Sequence, residues 1–158
     1  MTFKEAIGVV LKHEGGYVND PIEPGGETMM GISKKAYPDL NIKVLSLVDV
    51  EEIYFKDYWK KGKCESLPDE LRLTYFDMVV NMGKSRAVKI LQEAVTAKGI
   101  PTDIDGGIGP QTIRNTKKSG LELDRLKSYR VKHYAKLVAN KPALERYWYG
   151  WYSRAIKS

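Results

Sequence analysis

Residues 2–32 read Thr2-Phe3-Lys4-Glu5-Ala6-Ile7-Gly8-Val9-Val10-Leu11-Lys12-His13-Glu14-Gly15-Gly16-Tyr17-Val18-Asn19-Asp20-Pro21-Ile22-Glu23-Pro24-Gly25-Gly26-Glu27-Thr28-Met29-Met30-Gly31-Ile32, and this stretch decides the fold. Thr2 followed three residues later by Glu5 is a capping box, and Phe3, Ile7, Val10 and Leu11 then recur at helical spacing until Gly15–Gly16 ends the run. A helix is expected here. From Tyr17 to Ile32 the composition changes to Asn, Asp, Pro and Gly with no sustained period, which predicts a structured loop or a short irregular β-hairpin. Segments of this kind often carry function. Glu14 stands eleven residues after Phe3, and at about 100° per residue that spacing returns to nearly the same helix face. The acid therefore shares the apolar stripe. Burial disfavours the charged form of a carboxyl, which suits a general acid at neutral pH, and the two glycines beside it leave room for a substrate.

Outward from this stretch the pattern stays helical. Asp49 and Glu52 are expected to open a helix carrying Ile53, Tyr54, Tyr58 and Trp59. Ser66, Pro68 and Asp69 open another through Leu73, Phe76 and Val80, closed by Gly83. A shorter one runs from Ser85 through Ile90, Leu91 and Val95 to Gly99, and a second loop then carries Asp105 to Thr112. Leu123, Leu126, Tyr129, Tyr134 and Leu137 mark a long amphipathic helix between Leu121 and Val138, stopped by Asn140 and Pro142. Tyr147, Trp148, Tyr149, Trp151 and Tyr152 are too dense for one apolar stripe. They pack into the core or form a flat shelf suited to the C–H faces of sugars. The expected fold class is mainly α, one compact unit, with any sheet confined to residues 17–32.

Composition bounds the function. The chain has 158 residues, 42% hydrophobic and 29% charged, values of an ordinary globular domain. Cys64 is the single cysteine, so no intrachain disulfide forms, and with only His13 and His133 no Cys/His zinc site is expected. No metal and no cofactor is expected. The 26 basic and 20 acidic side chains give a net charge of +6, which favours a polyanion such as nucleic acid, anionic lipid or a cell-wall polymer. Nucleic acid is the weakest of these, because Gly15–Gly16 and Gly25–Gly26 lack the Lys-Ser/Thr sequel of a phosphate loop and no zinc finger is present. The apolar run from Ala6 to Leu11 is too short to span a membrane and has no small-residue cleavage site after it, so synthesis in the cytoplasm is expected.

A glycosidic oxygen leaves poorly unless it is protonated as the bond breaks, and the developing cation needs a second carboxylate or a placed water. Asp20, Glu23 and Glu27 are the neighbouring carboxylates, and the Thr28 hydroxyl is suited to holding a water. The alternatives stay open at this level. Glu14 could simply end a helix, with the loop acids solvated or binding calcium; Thr28 could bond only to backbone, and Asp20, before Pro21, could build a turn.

The sequence His13–Glu14–Gly15–Gly16–Tyr17, then Asn19–Asp20–Pro21, Pro24–Gly25–Gly26, Thr28 and Gly31–Ile32, closely resembles glycoside hydrolase family 108, the muramidase-type phage lysins and their bacterial relatives. The likeness continues in Phe76–Asp77, Val80–Asn81, Gly83, Leu91–Gln92, Asp105–Gly106, Ile108–Gly109–Pro110, Thr112, Gly150–Trp151 and Arg154. It implies a lysozyme-like helical fold, with a catalytic region over 1–95 and a peptidoglycan-binding-like helical region over 96–158 packed into the same unit. It implies cleavage of the β-1,4 bond between N-acetylmuramic acid and N-acetylglucosamine, with bacterial peptidoglycan as substrate. Glu14 matches the family's catalytic glutamate and Thr28 the threonine that positions the attacking water in related lysozymes. Glu23 stands where the family usually has aspartate, keeping the charge but moving it one methylene outward.

Tyr17, Asn81, Asp105 and Trp151 are the expected substrate contacts. Asn81 suits an N-acetyl group because an amide both donates and accepts. Asp77, four residues earlier on the same face, either lines the cleft or pairs within the fold, and the glycines around Asp105 are equally a plain tight turn. The expected agent is a monomeric phage endolysin or prophage relative, active in the wall or periplasm after release through a holin-type pore. Two rivals share the fold: a non-catalytic peptidoglycan-binding or secretion-associated protein, and a lytic transglycosylase, which needs one acid and no activated water.

Overall fold

The computed structural model describes residues 1–22 and 26–158. The first helix, α1 (Phe3–Glu14), starts at the expected capping box: the Thr2 hydroxyl accepts from Glu5 N and the Glu5 carboxylate from Thr2 N. Its inner face buries Ala6, Ile7 and Val10. Phe3 meets Phe55, Trp59 and Phe76 with ring centroids 5.0, 5.6 and 5.9 Å apart, so the stripe read from the sequence is the one that packs.

Gly15 turns the chain into a three-stranded antiparallel sheet, β1 (Tyr17–Asn19), β2 (Glu27–Met29) and β3 (Ile32–Ser33), in that order. Val18 faces Thr28 in the register and Met29 faces Ile32. The β2–β3 connection is thus the two residues Met30 and Gly31, with φ of 48° and 84°. Two consecutive left-handed residues are what the tightest hairpin turn demands. The expected hairpin therefore gains a third short strand.

A 3₁₀ turn (Ile42–Val44) leads to α2 (Leu47–Tyr54). It opens three residues before Asp49, on Ser46, which exchanges capping hydrogen bonds with Asp49. Residues Phe55–Lys60 continue it as a wider π turn that buries Trp59. Next come α3 (Asp69–Met82), α4 (Lys84–Ala97), α5 (Pro110–Ser119), α6 (Leu123–Asn140) and α7 (Trp148–Lys157), with a 3₁₀ segment over Pro142–Tyr147. The loop expected from Asp105 to Thr112 is cut short by α5. Its buried face is Thr112, Asn115 and Thr116, polar residues that leave no hydrophobic period to read, while Pro110 at its start and Gly120 after its end bound it.

One hydrophobic core joins Ile7, Trp59, Leu71 and Phe76 from the first half to Leu91, Ala94 and Leu126 from the second. Helix α3 lies at the centre, against α1, α4 and α6. Cys64 is wholly buried, and burial pushes its thiol up, away from the reactive thiolate. Among the described residues no group of His, Cys, Asp or Glu is arranged to hold a metal ion, and no helix is long and apolar enough to cross a membrane.

Candidate active site

The sequence makes α1 end where the glycines stop it, and this leaves the Glu14 side chain, 18% exposed, between α7 and the β2–β3 turn. One oxygen, Oε1, accepts from Arg154 Nη2 on α7 at 2.7 Å. The other, Oε2, lies against Gly31: a Cβ built there would sit 2.8 Å from Oε2 and closer still to the Tyr54 hydroxyl. The Tyr54 hydroxyl itself donates to Met30 O at 2.8 Å and fastens the turn. Burial, and then the nearby Glu14, push the Tyr54 phenol up, so it stays a neutral donor. Glu14 accordingly faces a guanidinium and a backbone turn as well as the apolar stripe.

Arg154 is anchored in turn by Asp77, which has no solvent exposure. Arg154 Nε lies 3.2 and 3.1 Å from the two Asp77 oxygens and Nη2 2.9 Å from Oδ1. Asp77 Oδ2 also accepts from Arg130 Nη2 at 2.7 Å and from the Ser158 hydroxyl at 3.0 Å. Burial works to raise the Asp77 carboxyl, but the hydrogen bonds and charges of Arg154 and Arg130 outweigh it and hold the group below its ordinary value. Of the two readings open for Asp77, pairing within the fold is the one observed. A buried acid with two guanidiniums is fully satisfied, and removing either side would strand a charge.

Thr28 is half-buried on β2, and among the described residues its hydroxyl has no hydrogen-bond partner. The Gly16 carbonyl accepts from Met30 N at 3.1 Å, which fastens the sheet bearing Thr28 to the end of α1 bearing Glu14. Glu23 lies outside the described residues. Asp20 accepts from Ile22 N at 2.9 Å, building the turn, and Glu27 accepts from the Tyr17 hydroxyl at 2.9 Å. Tyr17 is 38% exposed at the sheet edge.

Asn81 is half-buried one turn beyond Asp77 on α3. Its Oδ1 accepts from the Tyr134 hydroxyl, leaving its NH₂ without a partner among the described residues. Tyr134 stacks on Trp151 with centroids 5.1 Å apart, and Trp151 on Tyr147 at 5.6 Å. The dense aromatic tail thus resolves into two i,i+4 stacks, the second being Trp148 on Tyr152 at 5.9 Å. Trp151 lies three residues before Arg154 on the helix that reaches Glu14. Asp105 is held in its own loop: Oδ1 accepts from Gln92 Nε2 at 2.9 Å and from Gly107 N at 2.8 Å. The fully buried Gln92 also bonds Thr112, so this loop is built around one amide.

In the sequence Arg154 and Gly31 stand within the family likeness with no task of their own, and Arg130 stands outside it. A signal existed for Arg130: it stands on the apolar face of α6, four residues after Leu126 and four before Tyr134. An arginine there is almost never fully buried unless paired.

The architecture and this half-buried carboxylate at a helix end define a mainly α, lysozyme-like protein. Residues 7–83 match the glycosyl hydrolase 108 family, and residues 86–156 match the predicted peptidoglycan domain. The chain is similar to the solved structure of Brucella abortus SagA, at 29% identity and a TM-score of 0.80 over 98% of this chain and 90% of that one. No curated protein matches it by sequence. It is thus a glycoside hydrolase by family, with peptidoglycan as the polymer its second half is matched to.

Proposed function

We propose that the protein is an N-acetylmuramidase, a lysozyme that cuts the β-1,4 bond between N-acetylmuramic acid and N-acetylglucosamine, with Glu14 as the acid. The observation that carries this is the half-buried Glu14 carboxyl, held at one oxygen by Arg154 and set against the backbone of Gly31 at the other. In the reaction Glu14 gives its proton to the glycosidic oxygen as the bond to the sugar breaks, since the leaving alcohol departs poorly as an alkoxide. Thr28, with a hydroxyl uncommitted among the described residues, orients the water that attacks the sugar cation. Glu23 belongs to the proposal from its sequence position, as the second carboxylate. Tyr17, Asn81, Asp105 and Trp151 are the proposed glycan contacts, best supported at Asn81, whose NH₂, without a partner among the described residues, suits an acetyl carbonyl. A monomer of phage or prophage origin, admitted to the wall through a holin-type pore, completes the reading.

The test is clearance of purified peptidoglycan by the wild type beside Glu14→Gln, with mass spectrometry of the products. The amide keeps the carboxyl's shape but has no acidic proton. Turnover should fall by at least the roughly 10²–10⁴-fold that general acid catalysis contributes, with wall binding retained. Products ending in reducing N-acetylmuramic acid support a muramidase. Anhydro ends would identify a transglycosylase, and a wild type that binds wall without cutting it would identify the non-catalytic alternative.

A further inference from the structure

The family likenesses divide the chain at residues 83 and 86, yet the guanidinium that touches Glu14 comes from the far side of that division, 140 residues along the chain. We propose that Arg154 is a positioning residue of the reaction: clamped by Asp77, which Arg130 holds in turn, it fixes which oxygen of Glu14 is free for the glycosidic bond, so the peptidoglycan-matched half completes the catalytic site. This rests on the reading of Glu14 as the acid.

The geometry is directional. Arg154 Nη2 occupies Oε1, so Oε2, beside Gly31, is the oxygen free to carry the proton. Arg154 itself cannot swing away, because Nε and Nη2 both engage the same buried carboxylate in the fork-to-fork manner available to arginine and not to lysine. Asp77 is held from behind by Arg130, itself without solvent exposure, and by the Ser158 hydroxyl. The clamp thus runs from α6 through α3 and α7 to the end of α1. One Arg154 nitrogen serves both Glu14 and Asp77. When Glu14 takes up a proton, Arg154 keeps its Asp77 partner, so loading the acid does not set the arginine loose. Tyr54 and Tyr58 also lie within electrostatic reach of Glu14, and burial pushes both phenols up so that they stay neutral. Among the described residues Arg154 is the cation paired with Glu14.

The experiment compares the full chain with Arg154→Gln, Arg154→Lys and the double variant Asp77→Asn with Arg154→Gln. The readouts are kcat and KM on purified peptidoglycan, wall pull-down and thermal unfolding. Arg154→Gln is expected to lower kcat by roughly 10²-fold, the scale set by about an ångström of misplacement, with KM and pull-down little changed. Arg154→Lys keeps the charge but recovers only part of kcat, for want of the fork that engages Asp77. The double variant also takes the anion from the wholly buried Arg130, so it is less stable than Arg154→Gln while its kcat stays at the Arg154→Gln level. A kcat that falls further in the double variant, in step with its loss of stability, overturns the proposal and makes Arg154 a strut for Asp77 alone. An inactive wild type would instead overturn the muramidase reading and this one with it, whereas an active wild type with an equally active Arg154→Gln overturns only this one.

Discussion

Replacing Gly31 by alanine adds a single methyl group, and the structure says what it meets. The new Cβ would lie 2.8 Å from Glu14 Oε2 and 3.1 Å from Glu14 Cδ, and nearer still to the Tyr54 hydroxyl. Gly31 also has φ of 84°, where an L side chain costs roughly 1–2 kcal/mol. Tyr54 is 1% exposed and its hydroxyl donates to Met30 O, so pushing the phenol aside leaves a buried donor or acceptor unpaired, at about 1–3 kcal/mol. Together these cost roughly 2–5 kcal/mol. For a domain of this size that lowers Tm by about 5–15 °C. Activity should fall further than stability explains, because the methyl presses on the very oxygen left free by Arg154, and about an ångström of misplacement costs roughly 10²-fold. Gly99→Ala is the control: φ there is 94° and a Cβ would meet nothing within 4 Å, so it isolates backbone strain from contact. The assay is calorimetric unfolding of both variants, with turnover on purified peptidoglycan at a temperature where each is folded. If Gly31→Ala is no less stable than Gly99→Ala and cuts at the wild-type rate, the close approach of turn and carboxyl is wrong, and with it the account of which oxygen is free.

Asp77 has a depressed folded value, so its contribution to stability is present above the unfolded value near 3.8 and is lost as pH falls through the folded one. Urea unfolding should therefore weaken below about pH 4, and Asp77→Asn should flatten that acid limb while lowering stability at neutral pH. The net charge of +6 draws the protein onto an anionic wall over a range screened beyond about 8 Å at physiological salt. Added salt should consequently suppress clearance of whole walls more than cleavage of a short neutral glycan, and equal sensitivity would refute the electrostatic account.

What could be read from the sequence follows how local each feature is. The first helix was legible to the residue, since a capping box, an apolar stripe and two glycines all lie within fifteen positions and agree. The β2–β3 turn was not, because Met30 adopts a left-handed conformation that no propensity favours and Tyr54, twenty-four residues away, fastens it. Helix α5 escaped because its buried face is threonine and asparagine, satisfied by hydrogen bonds that no hydrophobic period reports. The clamp behind Glu14 lies between these cases. Asp77 stands among Phe76, Val80 and Leu73 on α3, and Arg130 between Leu126 and Tyr134 on α6, so each chain segment shows a charge where only an apolar residue would pack alone. Two such charges of opposite sign imply one another, because neither is tolerated in a core unpaired. That inference gives the Asp77–Arg130 pair from sequence. It gives no orientation, and so cannot tell that Arg154 closes the other side of Asp77 and reaches Glu14. Only the packing of α7 onto α6, with Arg154 paired to Asp77 on α3, supplies that step, which is why a residue present in a family motif acquires its chemical task only in the folded chain.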